Sequence, residues 1–344
     1  MRHRISRLST VIIVALALVV AGCSSNEGNG GENPANTTPD EVTYVTGFGL
    51  LGREAYMWVA MDQGYFEEEG IRLTIEPGFG SEQNLALATS GQAEFVAVDI
   101  PGALIVYSQG DLQDFTIVSA VQQRSLIAIM AKESSGITAP TDLAGRTIGM
   151  QPGSVAELLF PTYASVAGFD PESVTFESVP PQELAGALAG GQVDAISQFT
   201  VGQMLVETIT RESAVVLPYS EFLTDLYGGG IATSTRLAEE NPDLVHRFNR
   251  ALFRGLEHAL NDPEGAAEIM SRYVEEIAGQ LEVAAAEMAA LQAYVQPPEA
   301  GQPFGIIDEQ RFARGIALLE AAGAIEPGLT PQDLVSFDLV PGAA

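Results

Sequence analysis

Short β-rich runs and longer helical patterns alternate along residues 41–218, and the alternation runs through twice. Residues 41–46 (EVTYVT) read as a strand, 53–64 as a helix stopped by a glycine, and 71–76 (IRLTIE) as a strand. Next come a helix at 81–90, a strand at 94–98, a helix at 101–110 and a strand at 115–121. From Ser134 the order restarts with strands at 146–150, 174–178, 194–199 and 214–218, separated by helices at 154–168, 182–190 and 202–210. A strand that returns through a helix must pair in parallel, so the pattern predicts two α/β units. After Tyr219 the pattern becomes mostly helical, at 242–261, 263–275, 281–294 and 308–322. Asn241-Pro242 and Asp262-Pro263 set two of those starts, each with a capping side chain followed by proline at the first helical position. Crossings near Lys132 and Leu217 return the tail to the first unit, which predicts two lobes, a hinge and a ligand cleft between them. The expected division is 41–132 plus 218–344 for lobe 1 and 133–217 for lobe 2.

The first 22 residues read as an export signal. Arg2, Arg4 and Arg7 make a positive segment, and residues 11–20 (VIIVALALVV) are unbroken apolar. Ten helical residues rise only about 15 Å, half the hydrocarbon thickness of a membrane. Ala21-Gly22 then precede Cys23, the only cysteine. Leu-Val-Val-Ala-Gly-Cys resembles a bacterial lipobox, in which cleavage before the cysteine frees its thiol for lipid attachment. Residues 24–40 hold no apolar side chain larger than alanine, so they cannot bury enough surface to offset chain entropy and read as a tether. Residues 23–40 are thus expected to be a lipidated leash, and the protein an extracytoplasmic one held at the membrane by lipid alone.

With no cysteine beyond Cys23, core burial must hold the body together without disulfides. The formal charge is -29, and cleavage of the signal removes three arginines. A field of that sign excludes nucleic acid and anionic lipid surfaces as partners. Lys132 is the single lysine against fifteen arginines.

Several fragments carry a family resemblance. They are Val59-Ala60, Gln63-Gly64-Tyr65-Phe66-Glu67-Glu68-Glu69-Gly70-Ile71 and Ser90-Gly91-Gln92-Ala93-Glu94-Phe95, followed by Gly136-Ile137 and Pro140-Thr141-Asp142-Leu143-Ala144-Gly145-Arg146-Thr147-Ile148-Gly149. Leu188-Ala189-Gly190-Gly191-Gln192-Val193-Asp194-Ala195 and Glu239-Glu240-Asn241-Pro242 complete the set. In this order they resemble the ABC-importer binding proteins for thiamine-precursor pyrimidines, alkanesulfonates, taurine and nitrate, the SsuA/NMT1/THI5-like family. The resemblance implies an α/β, two-lobed periplasmic-binding-protein fold of type II, with two parallel-rich lobes and a helical C-terminal tail. It implies a monomer that hands a small solute to an ABC permease. Pyrimidine-binding relatives often carry a Trp and an Asn–His pair after the first strand, where this chain has Thr46-Gly47-Phe48-Gly49 and then Arg53.

One motif points elsewhere. Gly47-Phe48-Gly49-Leu50-Leu51-Gly52 matches G-x-G-x-x-G between a strand and a helix, and Glu76 ends the next strand where a ribose-binding acid belongs. Export argues against a dinucleotide enzyme, and the glycines serve equally as a turn that lets a ligand approach backbone. No H-E-x-x-H, G-x-S-x-G or cysteine pair is present, and His246 and His258 sit in a charged helical stretch. No enzyme activity, metal or cofactor is expected.

Ligands of parallel α/β sheets collect at the carboxyl ends of the strands. Those ends place Phe48, Gly49, Arg53, Ser81 (after Gly80), Asp99, Gln122 and Gln123 on the first unit. Gln151, Ser154, Gln198, Phe199 and Thr200 come from the second, and Tyr227 from the return crossing. Aromatic, amide and hydroxyl groups with one carboxylate suit a flat heteroaromatic such as a thiamine-type pyrimidine. A small organic anion is the alternative, with Arg53 or Arg124 supplying a bidentate grip if either faces the cleft. Trp58 falls mid-helix and reads as packing.

Overall fold

The computed structural model describes residues 38–343 apart from 111 and 153. The readings made for residues 1–37, including the signal and Cys23, lie outside the described residues. Twelve strands run in chain order among those described. They are β1 (Asp40–Val45), β2 (Phe48–Gly49), β3 (Ile71–Glu76), β4 (Gly78–Phe79), β5 (Phe95–Asp99) and β6 (Phe115–Ser119), then β7 (Ile127–Lys132), β8 (Thr147–Met150), β9 (Thr175–Ser178), β10 (Ala195–Phe199), β11 (Ala214–Pro218) and β12 (Gly229–Ser234). They form two five-stranded sheets of order β3-β1-β5-β12-β6 and β9-β8-β10-β7-β11, with β2 and β4 making a small separate ladder.

The expected strands are present; the short β2 and β4 are additional to them and, within the five-stranded sheets, so are β7 and β12. Each of these two is the antiparallel member of its sheet, with antiparallel neighbours on both sides. The remaining pairs, β1–β3, β1–β5, β8–β9 and β8–β10, are parallel. In each sheet four of the five strands therefore run in the same direction, as expected of parallel-rich lobes, and one strand is reversed. β7 pairs with β10 and β11 in the second sheet, so the chain first passes between sheets at residues 121–126 instead of near Lys132. It returns over residues 219–228 and delivers β12 to the first sheet.

The helices between strands are α1 (Ala55–Asp62), α2 (Tyr65–Glu68), α3 (Ser81–Thr89), α4 (Ile100–Gln109), α5 (Val155–Ala167), α6 (Leu184–Ala189) and α7 (Gln203–Thr210). The tail adds α8 (Thr235–Glu240), α9 (Pro242–Asn261), α10 (Pro263–Ser271), α11 (Glu275–Ala278), α12 (Leu281–Val295), α13 (Glu309–Ala321) and α14 (Pro331–Leu334). α9 starts where the sequence sets it, with the Asn241 side chain accepting the Leu244 N–H at 3.2 Å and Pro242 in the first turn. Its stripe of Leu244, Val245, Phe248, Ala251, Leu252 and Leu256 is buried. Phe248 stacks on Phe95 of β5 at 3.9 Å and tilts against Tyr44 and Phe66. Under the second sheet, Tyr163 of α5 stacks on Tyr219 at 4.1 Å. Each such ring removes enough apolar surface to stabilise the fold by about 1.5–3 kcal/mol, which substitutes for the missing disulfides. Trp58 is buried in the α1 face of this core, as its mid-helix position predicts.

Candidate ligand-binding cleft

A cavity of about 250 Å³ lies where the carboxyl ends of the two sheets face each other. Its first wall begins after β1. Gly47 and Phe48 lead into a turn that is tied down on every side. The Asn84 side chain donates to the carbonyls of Thr46 and Ala97, each at 2.8 Å, and accepts the Phe79 N–H at 3.1 Å. Thr46 Oγ1 accepts the Gly78 N–H at 2.9 Å. Gly78 has no room for a side chain, since a Cβ there would sit 1.7 Å from the Thr46 carbonyl oxygen. This base holds β2 and β4 together, with Phe48 directly opposite Phe79. Both rings are exposed, and Phe48 lines the cavity.

Beyond the turn, a short 3-10 segment carries Arg53 and Glu54. Glu54 is buried, and it accepts the Gly47 N–H at 3.0 Å and the Tyr44 hydroxyl at 3.2 Å. Burial pushes its carboxyl above the usual range, with Arg53 and the Gly47 N–H pulling the other way. Tyr56, on the next turn, lines the cavity, and its phenol is raised by the same burial and by Glu54. The Arg53 guanidinium lies 5.4 Å from the centroid of Phe199, the last residue of β10, so this contact reaches across the cleft. The Arg53 N–H donates to Glu287 of α12 at 3.2 Å. Glu287 is itself buried and raised.

The floor is the end of β5 and the start of β12: Ala97, Val98 and Asp99 beside Gly229, Gly230 and Ile231. Asp99 caps α4 by accepting the Gly102 N–H at 3.1 Å, and its own N–H donates to Ser81 Oγ at 3.0 Å. Its carboxyl is pushed up to about 7 by burial, only partly offset by that cap. Val121, Gln122 and Leu126 of the first crossing close one side, and Gln151, Pro181 and Phe199 close the other.

Of the residues expected from sequence, Phe48, Arg53, Ser81, Asp99, Gln122, Gln151 and Phe199 meet in this cavity. The others do not line it. Gly49 lies in β2 beside Phe48 with φ +62°. Gln123 is buried and donates to the carbonyls of Ala120 and Ile306, so it clamps the tail to the crossing. Ser154 caps α5. The Gln198 side chain accepts the Phe199 N–H at 2.8 Å, folding back along its own strand. Thr200 is buried, and its N–H donates to the Leu126 carbonyl. Tyr227 accepts the Asp308 N–H at 2.9 Å beneath Arg311, away from the cleft. Arg124 turns outward to the Ala293 carbonyl and the Tyr294 ring, so Arg53 alone of the two weighed arginines faces the cleft.

Sequence reasoning missed Glu54, Tyr56, Leu126, Pro181 and the strand β12 with its glycines. Glu54 gives no sequence signal, because an acid at a helix start ordinarily complements the dipole in solvent. The glycine motif also has uses other than phosphate. The Gly47 N–H is held by Glu54, and a Cβ on Gly52 would lie 2.3 Å from the Ala284 Cα of α12. His258 is not merely solvated, as its Nδ1 pairs with the Tyr65 hydroxyl at 2.9 Å.

The family model described as NMT1/THI5 like matches residues 54–266. This chain belongs to that family. It is 26% identical to the riboflavin-binding protein RibY of Chloroflexus aurantiacus, over 90% of this chain and 89% of that one. It is 24% identical to the formylaminopyrimidine-binding protein of Halalkalibacterium halodurans, over 82% and 85%. Its fold is that of the periplasmic aliphatic sulphonate binding protein SsuA of Escherichia coli, with TM-score 0.69, 14% identity, and 86% and 92% of the two chains covered. The desulfurization enzyme DSZB shares it at TM-score 0.57 and 14% identity, so the fold by itself does not distinguish binding from catalysis. Among the described residues no helix is long and apolar enough to cross a membrane.

Proposed function

We propose that this protein captures a flat heteroaromatic solute outside the cytoplasm and delivers it to an ABC importer, acting by binding and not by catalysis. The observation that carries this reading is the balance of the cavity. Its surfaces are aromatic or aliphatic (Phe48, Phe199, Val98, Ile231), its uncharged polar groups are amides and hydroxyls, and one cation, Arg53, shares it with two acids, Glu54 and Asp99. A ring can stack between such walls and be read at its edge. A sulfonate would leave water for a space holding more acid than base, and the chain's overall negative field would repel it. The relatives named for riboflavin and formylaminopyrimidine both take flat heterocycles, which supports the same choice.

Capture proceeds by lobe closure: the sheets move about residues 121–126 and 219–228, ligand bridges them, and the closed form presents a new surface to the permease. Cys23 carries the lipid that keeps a monomeric body at the membrane, and Cys23→Ser is expected to release it from the detergent phase into the aqueous phase. The dinucleotide alternative is weakened by Glu54, whose carboxylate occupies the Gly47 N–H that a pyrophosphate would use.

A thermal-shift panel of an aminopyrimidine, riboflavin, taurine, an alkanesulfonate, nitrate and NAD tests the reading. Ligand at a hundred times Kd adds about 2.7 kcal/mol to apparent stability, a shift of several degrees. A shift with a pyrimidine or riboflavin is the expected result. A shift only with sulfonates moves the function to the anion class and the binding to Arg53, and a shift only with NAD revives the enzyme.

A further inference from the structure

The first sheet places two hydrogen-bonding groups side by side at the cavity floor. Gly229 of β12 stands directly opposite Asp99 of β5, and residues so paired share a face of the sheet. On its other side Gly229 is bound twice by Gln122. The Gln122 N–H donates to the Gly229 carbonyl at 2.8 Å, and Gln122 Oε1 accepts the Gly229 N–H at 2.8 Å. A Cβ on Gly229 would come within 3.1 Å of Gln122 Cδ and Nε2. The Gln122 amide therefore lies over Gly229 on the face that Asp99 shares, one strand spacing, ~5 Å, from it. The backbone donor fixes which way the amide is turned: Oε1 is spent on Gly229, and Nε2 is the end left over. Asp99 has used Oδ2 on Gly102 and retains Oδ1. Both residues line the cavity, and no side chain projects from Gly229 to separate them.

We propose that Asp99 and Gln122 together read one edge of the ligand, Asp99 accepting an N–H and Gln122 Nε2 donating to a ring nitrogen or carbonyl oxygen beside it. The inference rests on the reading of this chain as a binder of flat heterocycles and narrows it to those with a donor next to an acceptor on one edge. A 4-aminopyrimidine presents that edge as amino group and ring nitrogen, and an isoalloxazine presents it as N3–H and flanking carbonyl. A heterocycle alkylated at the donor, or an anion with acceptors only, does not. The selection works through the mismatch, since a ligand lacking the donor leaves a buried carboxyl oxygen without a partner.

Two substitutions reverse each half of the edge while keeping its structural bond. Asp99→Asn leaves an oxygen to cap Gly102 and turns an amide donor toward the cavity. Gln122→Glu leaves an oxygen for the Gly229 N–H and removes the donor. Calorimetric titration of the purified chain uses four probes: riboflavin, N3-methylriboflavin, 4-amino-5-hydroxymethyl-2-methylpyrimidine and its 4-dimethylamino analogue. One parent is expected to bind at least about tenfold more tightly than its methylated partner. In each variant, with thermal stability retained, that ratio should fall toward one because the parent's affinity drops. A parent that binds no better than its methylated form, or a ratio that survives both substitutions, overturns the edge reading and leaves heterocycle binding standing. A titration in which neither parent binds overturns heterocycle binding itself, and taurine or methanesulfonate in the same cell then identifies the anion class.

Discussion

The two sheets share one plan, with a 2-1-3 parallel set and an antiparallel strand arriving from the other side, yet they treat the cavity differently. The first sheet supplies groups that are already held: Glu54 on Gly47, Asn84 across Thr46 and Ala97, Asp99 on Gly102, Gln122 on Gly229. The second supplies only Gln151, Pro181 and Phe199, from loop positions or a strand end, and all three are exposed. Its edge strand β9 is exposed along its whole length. The first wall thus has its polar groups fixed before ligand arrives, which limits the entropy lost on binding. The second is a cover whose contribution is made on closure. Substitutions that break a bond holding the first wall should damage fold and binding together, whereas those that keep such a bond, and those in the second wall, should damage binding alone.

The strongest test is Gly78→Ala. The added Cβ meets backbone, not a movable side chain, so a loss of about 3 kcal/mol or more is expected by denaturant unfolding, with ligand binding lost alongside. If binding survives, the wall is not held by that base. Asp99→Asn comes next. Asp99 is raised from 3.8 to about 7 in the folded state, so between those pH values the native chain holds a proton that the unfolded chain has released. Stability from this group is therefore highest below pH 4, declines as pH rises to about 7, and is flat above. Arg53 and Glu54 are the charged groups that share its cavity, and both remain in the variant. The difference in pH dependence between wild type and Asp99→Asn should show that decline, and parallel curves would mean that the carboxyl is not desolvated. Phe199→Ala should weaken ligand binding three- to tenfold, the worth of one stacked ring and its contact with Arg53, with unfolding changed by less than about 0.5 kcal/mol. A large stability loss there would make the second wall as preformed as the first. Pro181→Ala is the mildest case, with affinity reduced no more than about twofold.

How much of this was legible in sequence follows the same division. Helices with a proline-and-cap start were readable, and α9 spans the expected residues because Asn241, Pro242 and the apolar stripe agree. The two antiparallel strands were not. Residues 127–131 are a continuous apolar run with no alternation, because β7 lies inside the sheet and is covered on both faces. Gly228-Gly229-Gly230 looks like a loop, and only the close approach of Gln122 and Ser119 explains glycine in a strand. At the site, strand ends were readable and side-chain direction was not. Gln122 and Gln123 are chemically identical, and a backbone pairing to Gly229 decides that one faces the cavity while its neighbour clamps the tail. Phe199 and Gln198 divide in the same way.

The attachment of α12 also bears on when this protein becomes competent during synthesis. All strands of both sheets are complete by Ser234, yet the Arg53 N–H waits for Glu287, 234 residues later, and Gln123 waits for Ile306. Contacts of such separation form late, because a long loop must close before they return any free energy. A chain emerging from the ribosome or a secretion channel therefore has both sheets translated before its binding wall is finished. Truncation after residue 280 removes Glu287 and the buried Met288 and Leu291, and should abolish solute binding in the calorimetric titration.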